Sequence, residues 1–195
     1  MSDRGNSCVF IRMRGADAAY RPNVGVALFD ALGRVLIARR IGDDGPEVIA
    51  PGHEWQMPQG GIDPGETAEE SARRELFEET GVVSAALLGN LDREVSYDWP
   101  PYHGPPHRLT RWRGQRQAWF AFRFTGEESE INLAPPDAGA AAEFDAWRWE
   151  RLAALPALVV PYKRRVYEAV AEGFARFALP ADRPGGPSLP VPPRS

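Results

Sequence analysis

The chain of 195 residues has little with which to staple or anchor itself. Its one cysteine, Cys8, cannot close an internal disulfide and excludes a cysteine-rich zinc site, so a reducing, cytoplasmic setting is expected. No uninterrupted apolar stretch approaches the roughly 20 residues that span a bilayer, and the short apolar run near the start is broken by charges. Neither a transmembrane helix nor a secretory leader is expected. A basic excess is missing too. The formal net charge of −4 at pH 7 argues against gripping nucleic acid with the whole surface, while leaving room for a local basic patch. Lysine is nearly absent: among 23 Lys and Arg residues only Lys163 is lysine. Arginine suits bidentate phosphate contacts, although codon usage is the simpler account of the excess as a whole.

What is abundant is glycine and proline, 19 of each, well above ordinary usage, so part of the chain must be loop or tail. The 43% hydrophobic and 26% charged content is otherwise that of one folded domain. Residues 1–19 lack sustained periodicity and read as an N-terminal extension. Residues 180–195, rich in Pro and Gly, offer too few large apolar groups to offset the entropy of ordering them and read as a disordered tail. The domain is expected at 20–179. Within it, Val24 to Phe29 and Arg34 to Arg39 flank a turn ending at Gly33, a hairpin pattern. A helix is expected from Thr67 to Thr80, opened by a Thr67/Glu70 capping box and closed by Gly81. Strands are expected near 91–97, at 115–124 and at 144–149, with an amphipathic helix from Tyr162 to Phe177. Helices and strands without a regular βαβ rhythm predict an α+β fold.

The chemistry concentrates on the first helix. At 100° per residue, Glu75, Glu78 and Glu79 share one face, bordering the apolar stripe of Ala68, Ala72 and Leu76. Like charges at this spacing repel, and the neighbouring Arg74 cannot neutralise three carboxylates. A hard divalent cation would supply the missing charge, since Mg²⁺ and Mn²⁺ take carboxylate oxygens. From spacing alone, a solvated acidic face is equally open. Just upstream, Gln59 to Glu66 forms a Gly-rich bend able to bring backbone close to a ligand and ends in another acid.

Taken together, Gly60, Glu66, Arg74, Glu75, Leu76, Glu78, Glu79, Gly81 and Val82 fill every defining position of the Nudix box, and the chain resembles the Nudix hydrolases. The resemblance implies an α/β/α sandwich with a mixed sheet and metal-dependent hydrolysis of a phosphoanhydride bond. It also implies that Glu75, Glu78, Glu79 and the Gly60 backbone hold the metal, with Arg74 and Glu66 orienting the carboxylates. Mg²⁺ is the implied cofactor, with Mn²⁺ or Zn²⁺ as substitutes. Further matches at 20–25, 38–40, 55–61, 143–149 and 159–164 are similar to bacterial RNA pyrophosphohydrolases and related dinucleoside polyphosphate hydrolases. They imply Glu143 as a further metal ligand or general base, Arg21 and Arg40 as phosphate or nucleotide contacts, and Tyr162 with Lys163 as base contacts. Tyr97 matches a substrate-binding tyrosine of the dinucleotide enzymes. The implied substrate is the triphosphorylated 5′ end of RNA, converted to a monophosphate with release of pyrophosphate; diadenosine tetraphosphate and its relatives are the alternative.

Other features have a use and a plain competitor. Arg108, Arg111, Arg113 and Arg116 surround Trp112 and could track a phosphate backbone, or merely protect an edge strand from aggregation. His103 and His107 have no third ligand nearby. Trp55, Trp119, Trp147 and Trp149 are expected to fill the core rather than stack on bases. The insertion at 41–54 and the C-terminal tail depart from the family pattern.

Overall fold

The computed structural model describes residues 19–135 and 141–180. Cys8, most of the N-terminal extension and nearly all of the Pro/Gly-rich tail lie outside the described residues. In chain order the elements are β1 (Tyr20–Phe29), β2 (Val35–Arg40), β3 (Trp55–Gln56), β4 (Gln59–Gly61), α1 (Ala68–Thr80), β5 (Ala85–Asn90), β6 (Val95–Asp98), β7 (Gly114–Phe124), β8 (Phe144–Glu150), α2 (Leu155–Leu158) and α3 (Arg164–Gly173).

The strands form one mixed sheet built on a parallel pair. β1 and β7 run together from Tyr20 opposite Gly114 to Phe29 opposite Arg123. Every other pairing is antiparallel: β4 and β2 beside successive parts of β1, β6 and β5 beside successive parts of β7, and β8 and β3 beside β2. Period-two alternation sends side chains to opposite faces, and both faces are covered. Val24, Val26, Leu28, Phe120 and Phe122 pack with Ala72 and Leu76 of α1. Ala27, Phe29, Trp119 and Ala121 pack with Val166, Tyr167 and Val170 of α3. The result is the expected α/β/α sandwich. Trp119 is fully buried, edge-on to Tyr167 with ring centroids 5.6 Å apart. Its indole lies over Gly25, where any β-carbon would collide with it.

Two expected elements shift. The strand anticipated near 91–97 is instead two strands, β5 and β6, interrupted at 91–94. A register irregularity between Leu87 and Gly89 breaks the alternation that would have marked β5. The closing helix ends at Gly173, and short 3₁₀ turns at Pro161–Lys163 and Ala175–Phe177 flank it. Gly173 has low helix propensity, and its lack of a side chain makes room for Leu91. The second turn still buries Phe177 against Phe29 and Phe174. Among the described residues no helix is long and apolar enough to cross a membrane.

Candidate active site

Local sequence sets the phase of α1. The Thr67 hydroxyl accepts from the Glu70 N–H at 3.2 Å, the Glu70 carboxylate accepts from the Thr67 N–H at 2.8 Å, and Gly81 closes the helix at φ 71°. With Ala72 and Leu76 against the sheet, Glu75 and Glu79 fall at the margin of the buried face while Glu78 stays exposed.

Arg74 organises the acids around it. Its guanidinium donates to Glu66 through Nε and Nη2, both at 2.9 Å, to Glu75 at 2.8 Å, to Glu78 at 3.1 Å and to the Gly61 carbonyl at 2.8 Å. Glu66 also accepts from the Ser71 hydroxyl at 2.6 Å. These bonds, those from Arg74 foremost, hold the Glu66 carboxyl down to about 2 and fasten the glycine bend to the helix.

Glu75 and Glu79 are pushed the other way. Burial raises both, against the pull of Arg74 on Glu75; for Glu79, repulsion from Glu143 and Glu75 adds to burial, and only the Gln59 N–H, at 3.1 Å, and Arg40 oppose it. Gly60, on β4, brings its backbone against the Glu75 carboxylate so closely that a β-carbon would occupy the same space. Arg21 lies beside Gly61 and favours the charged form of Glu75. Among the described residues no three acidic, histidine or cysteine side chains converge to hold an ion as they stand. Arg74 draws Glu75 and Glu78 toward itself while the Gln59 amide holds Glu79. The donor set nonetheless fits a hard divalent cation: oxygen ligands whose negative charge is resisted by burial and by one another are what such an ion relieves.

A second group of charges is buried beside the first. Lys163 is fully buried, its Nζ 2.8 Å from Glu47 Oε1 and 3.3 Å from Gln56 Oε1. Burial lowers the Lys163 ammonium and Glu47 opposes that shift; burial likewise works against the Glu47 carboxylate, but Lys163 and Arg40 outweigh it and hold it below the usual range. Arg40 is also buried and pairs with Glu143 at 3.5 Å. Glu143 is raised by burial against the pull of Arg40, an effect limited by water because its side chain is 46% exposed. Since Glu143 interacts with Glu79 on one side and with Arg40 and Lys163 on the other, it joins the two groups. Arg40, Gln56, Val160 and Tyr162 line part of a small cleft open to solvent. In two of these residues, Arg40 Nε, in its ion pair with Glu143, and Gln56 Nε2 are buried and make no hydrogen bond among the described residues.

One expected contact is corrected by its surroundings. Tyr97 does not reach the cleft: it is 6% exposed, and its hydroxyl lies 3.1 Å from Glu47 and 2.7 Å from Gln115. It stands behind the cations as a partner of Glu47. Of the four arginines near Trp112, three have acidic partners: Arg108 with Asp44 at 3.1 Å, Arg113 with Asp98 at 2.6 Å and Arg116 with Glu94 at 2.8 Å. Arg111 sits over the Trp112 ring at 5.2 Å. Trp119 belongs to the core as expected, whereas Trp55, Trp147 and Trp149 are only partly buried at its margin. Sequence reasoning missed Glu47 because it lies in an irregular insertion with no period or motif to mark it.

A mixed sheet between helices, with a glycine bend leading into an acid-bearing helix on one face, defines a class. The NUDIX domain model matches residues 19–170. The chain belongs to the Nudix family and is a hydrolase of phosphoanhydride bonds; Nudix hydrolases use a divalent metal. Among individual proteins it is 52% identical over 171 residues to the RNA pyrophosphohydrolase of Caulobacter vibrioides, covering 86% of this chain and 94% of that one. It is 53% identical over 165 residues to the RNA pyrophosphohydrolase of Afipia carboxidovorans, covering 85% and 98%. In fold it is similar to the Escherichia coli dihydroneopterin triphosphate pyrophosphohydrolase, with a TM-score of 0.52, 22% identity and coverage of 77% and 96%.

Proposed function

We propose that this protein is a metal-dependent pyrophosphohydrolase that acts in the cytoplasm on the triphosphorylated 5′ end of RNA, cleaving between the α and β phosphates to leave a monophosphate. The observation that carries this reading is the continuity of the two charged groups through Glu143: an acidic surface suited to a cation adjoins buried Arg40 and Lys163, suited to phosphate. Identity of about half to RNA pyrophosphohydrolases, over most of both chains, supports RNA as the substrate.

Glu75, Glu78 and Glu79, with the Gly60 carbonyl and Glu143, would hold the metal, taken to be Mg²⁺. Bound there, it would offset polyphosphate charge and acidify water. The chain's own groups do the rest. Arg74 keeps Glu75 and Glu78 oriented while Glu66 anchors Arg74. Arg21 and Arg40 contact the phosphates; Lys163, a base contact by resemblance, is reassigned to them here because its ammonium already holds an anion, Glu47, and fixed cations in a site shielded from water act strongly on charge spread over transferring oxygens. Glu143, a carboxylate whose proton affinity burial raises, is placed to take the proton from attacking water. Tyr162 borders the cleft on the side where a base would rest.

The test supplies triphosphorylated short RNA and diadenosine tetraphosphate together with Mg²⁺ and times both products. Faster release of pyrophosphate from RNA is expected. Faster cleavage of the dinucleotide, or no conversion of RNA, overturns the reading.

A further inference from the structure

The insertion at 41–54 places a carboxylate where an anionic ligand would go. Glu47 is 6% exposed, and its Oε1 is contacted by Lys163 Nζ at 2.8 Å and by the Tyr97 hydroxyl at 3.1 Å. Arg40 attracts the same carboxylate. With Glu143 on Arg40 and Glu47 on Lys163, both buried cations are engaged by the chain's own acids. Lys163 is fully buried, so a phosphate reaches its Nζ at hydrogen-bonding distance only when a group that covers it moves aside, and Glu47 is the one in closest contact.

The segment carrying Glu47 is fastened so that it can leave. Its backbone joins the domain at the two ends, through Arg40 N–H to Glu54 O and Ile41 N–H to Glu143 O, both at 2.9 Å. Between them Asp44 and Glu47 bond to each other, and Ile49 N–H turns back to Asp43. The hold on the domain is otherwise by side chains and packing: Asp44 to His107 and Arg108, both at 3.1 Å, Glu47 to its pocket, the Tyr162 hydroxyl to Val48 O at 3.2 Å, Gly45 against the His107 ring, the buried Pro46, and Ala50 against the core. Gly42 and Gly52, at φ 79° and 82°, bracket the segment with no atoms crowding either α-carbon, a suitable pair of hinges.

We infer that Glu47 is an internal competitor for substrate phosphate: its carboxylate occupies Lys163 in the free protein, and the polyphosphate of the substrate displaces it, swinging the 42–52 segment outward. This rests on the reading of Arg40 and Lys163 as phosphate contacts. A polyphosphate carries more charge and more acceptor oxygens than one carboxylate, so it wins these cations where a weaker anion does not. The competitor sets a threshold for binding, because apparent affinity falls by the fraction of molecules in which the pocket is open.

The test compares Glu47→Gln, which keeps the shape and removes the charge, with the unaltered protein on triphosphorylated dinucleotide RNA. KM is expected to fall about fivefold or more, the size of an ordinary coupling between sites. Hydrogen exchange of the 42–52 amides in the unaltered protein is expected to quicken when a methylene-bridged, uncleavable triphosphate end is added. Unchanged or raised KM, or unchanged exchange, overturns the inference and makes Glu47 a strut for Lys163. Lys163→Gln separates the two levels. If KM rises there while Glu47→Gln lowers nothing, only the competitor fails; if Lys163→Gln leaves KM unmoved, the phosphate reading fails with it. Should Glu47→Gln not fold, Asp44→Asn loosens the same segment from His107 and Arg108. It is expected to lower KM in the same direction by a smaller factor, and an unmoved KM overturns the inference.

Discussion

The two charged groups are built on opposite principles. At α1, acids outnumber cations: Glu66, just before the helix, shares the one guanidinium of Arg74 with Glu75 and Glu78, and among the described residues Glu79 has only a backbone amide as a hydrogen-bond partner. Around Lys163, cations and acids match one to one, Arg40 with Glu143 and Lys163 with Glu47. The first group is incomplete without an added cation. The second is satisfied until an added anion replaces what satisfies it. The two groups thus offer both halves of a site for a metal-bound polyphosphate, one in need of a ligand and the other holding a substitute for it.

The sharpest break of this contrast is Glu79→Gln. Removing one charged ligand while keeping its volume is expected to lower kcat on triphosphorylated RNA by at least on the order of 10²-fold, with the far-ultraviolet circular dichroism unchanged. Undiminished turnover would move the cation-binding role away from α1.

On the matched side the expected loss is in stability. Lys163→Met leaves Glu47 buried without its ion-pair partner, with only the Tyr97 hydroxyl and the more distant Arg40 to offset its charge, at a cost of about 3 kcal/mol. Adding Glu47→Gln should return much of that loss in a double-mutant cycle of urea unfolding. Strictly additive losses would mean the two side chains are not coupled.

The acidic side also sets an opposite pH response in its members. Glu75 and Glu79 are raised above the ordinary glutamate value of 4.5 by burial, so their favourable contribution is present below that pH and lost as pH rises through their folded-state values. Glu66 is held to about 2, so its contribution is present above 4.5 and lost as pH falls toward 2. Metal-free Glu79→Gln should therefore gain stability over the unaltered protein as pH rises from 4.5 to 8, and added Mg²⁺ should narrow that gap by stabilising the unaltered protein alone. A gap that ignores pH would remove Glu79 from the strained acids.

The smallest expected effect is local. Thr67→Ala removes the hydroxyl that caps α1 and should cost about 1 kcal/mol in thermal or urea unfolding. A larger drop in activity than in stability would show that the cap also holds the acids in phase.

The same contrast explains what could be read without coordinates. The acidic helix was legible because its meaning is local: a capping box, a left-handed glycine and spacings of three and four residues fix which carboxylates share a face, and backbone geometry alone converts that spacing into a site. The parallel pairing of β1 with β7 was not legible, because strands 94 residues apart at Tyr20 and Gly114 carry no mark of which partner each will take. The displaced β5 and the shortened α3 were misread where an irregular register and a helical glycine interrupt the period.

The cation pocket lay almost wholly beyond sequence. Arg40 and Lys163 were singled out by resemblance, but their burial, their pairing with Glu143 and Glu47, and the retreat of Tyr97 behind Glu47 all depend on segments brought together from distant parts of the chain. Sequence by itself determined the helix, its caps and the face on which its acids stand, since those follow from bonds within a few residues. Only the tertiary structure decided how far each charge is withdrawn from water and which charge answers it, because burial and ion pairing are properties of the assembled fold.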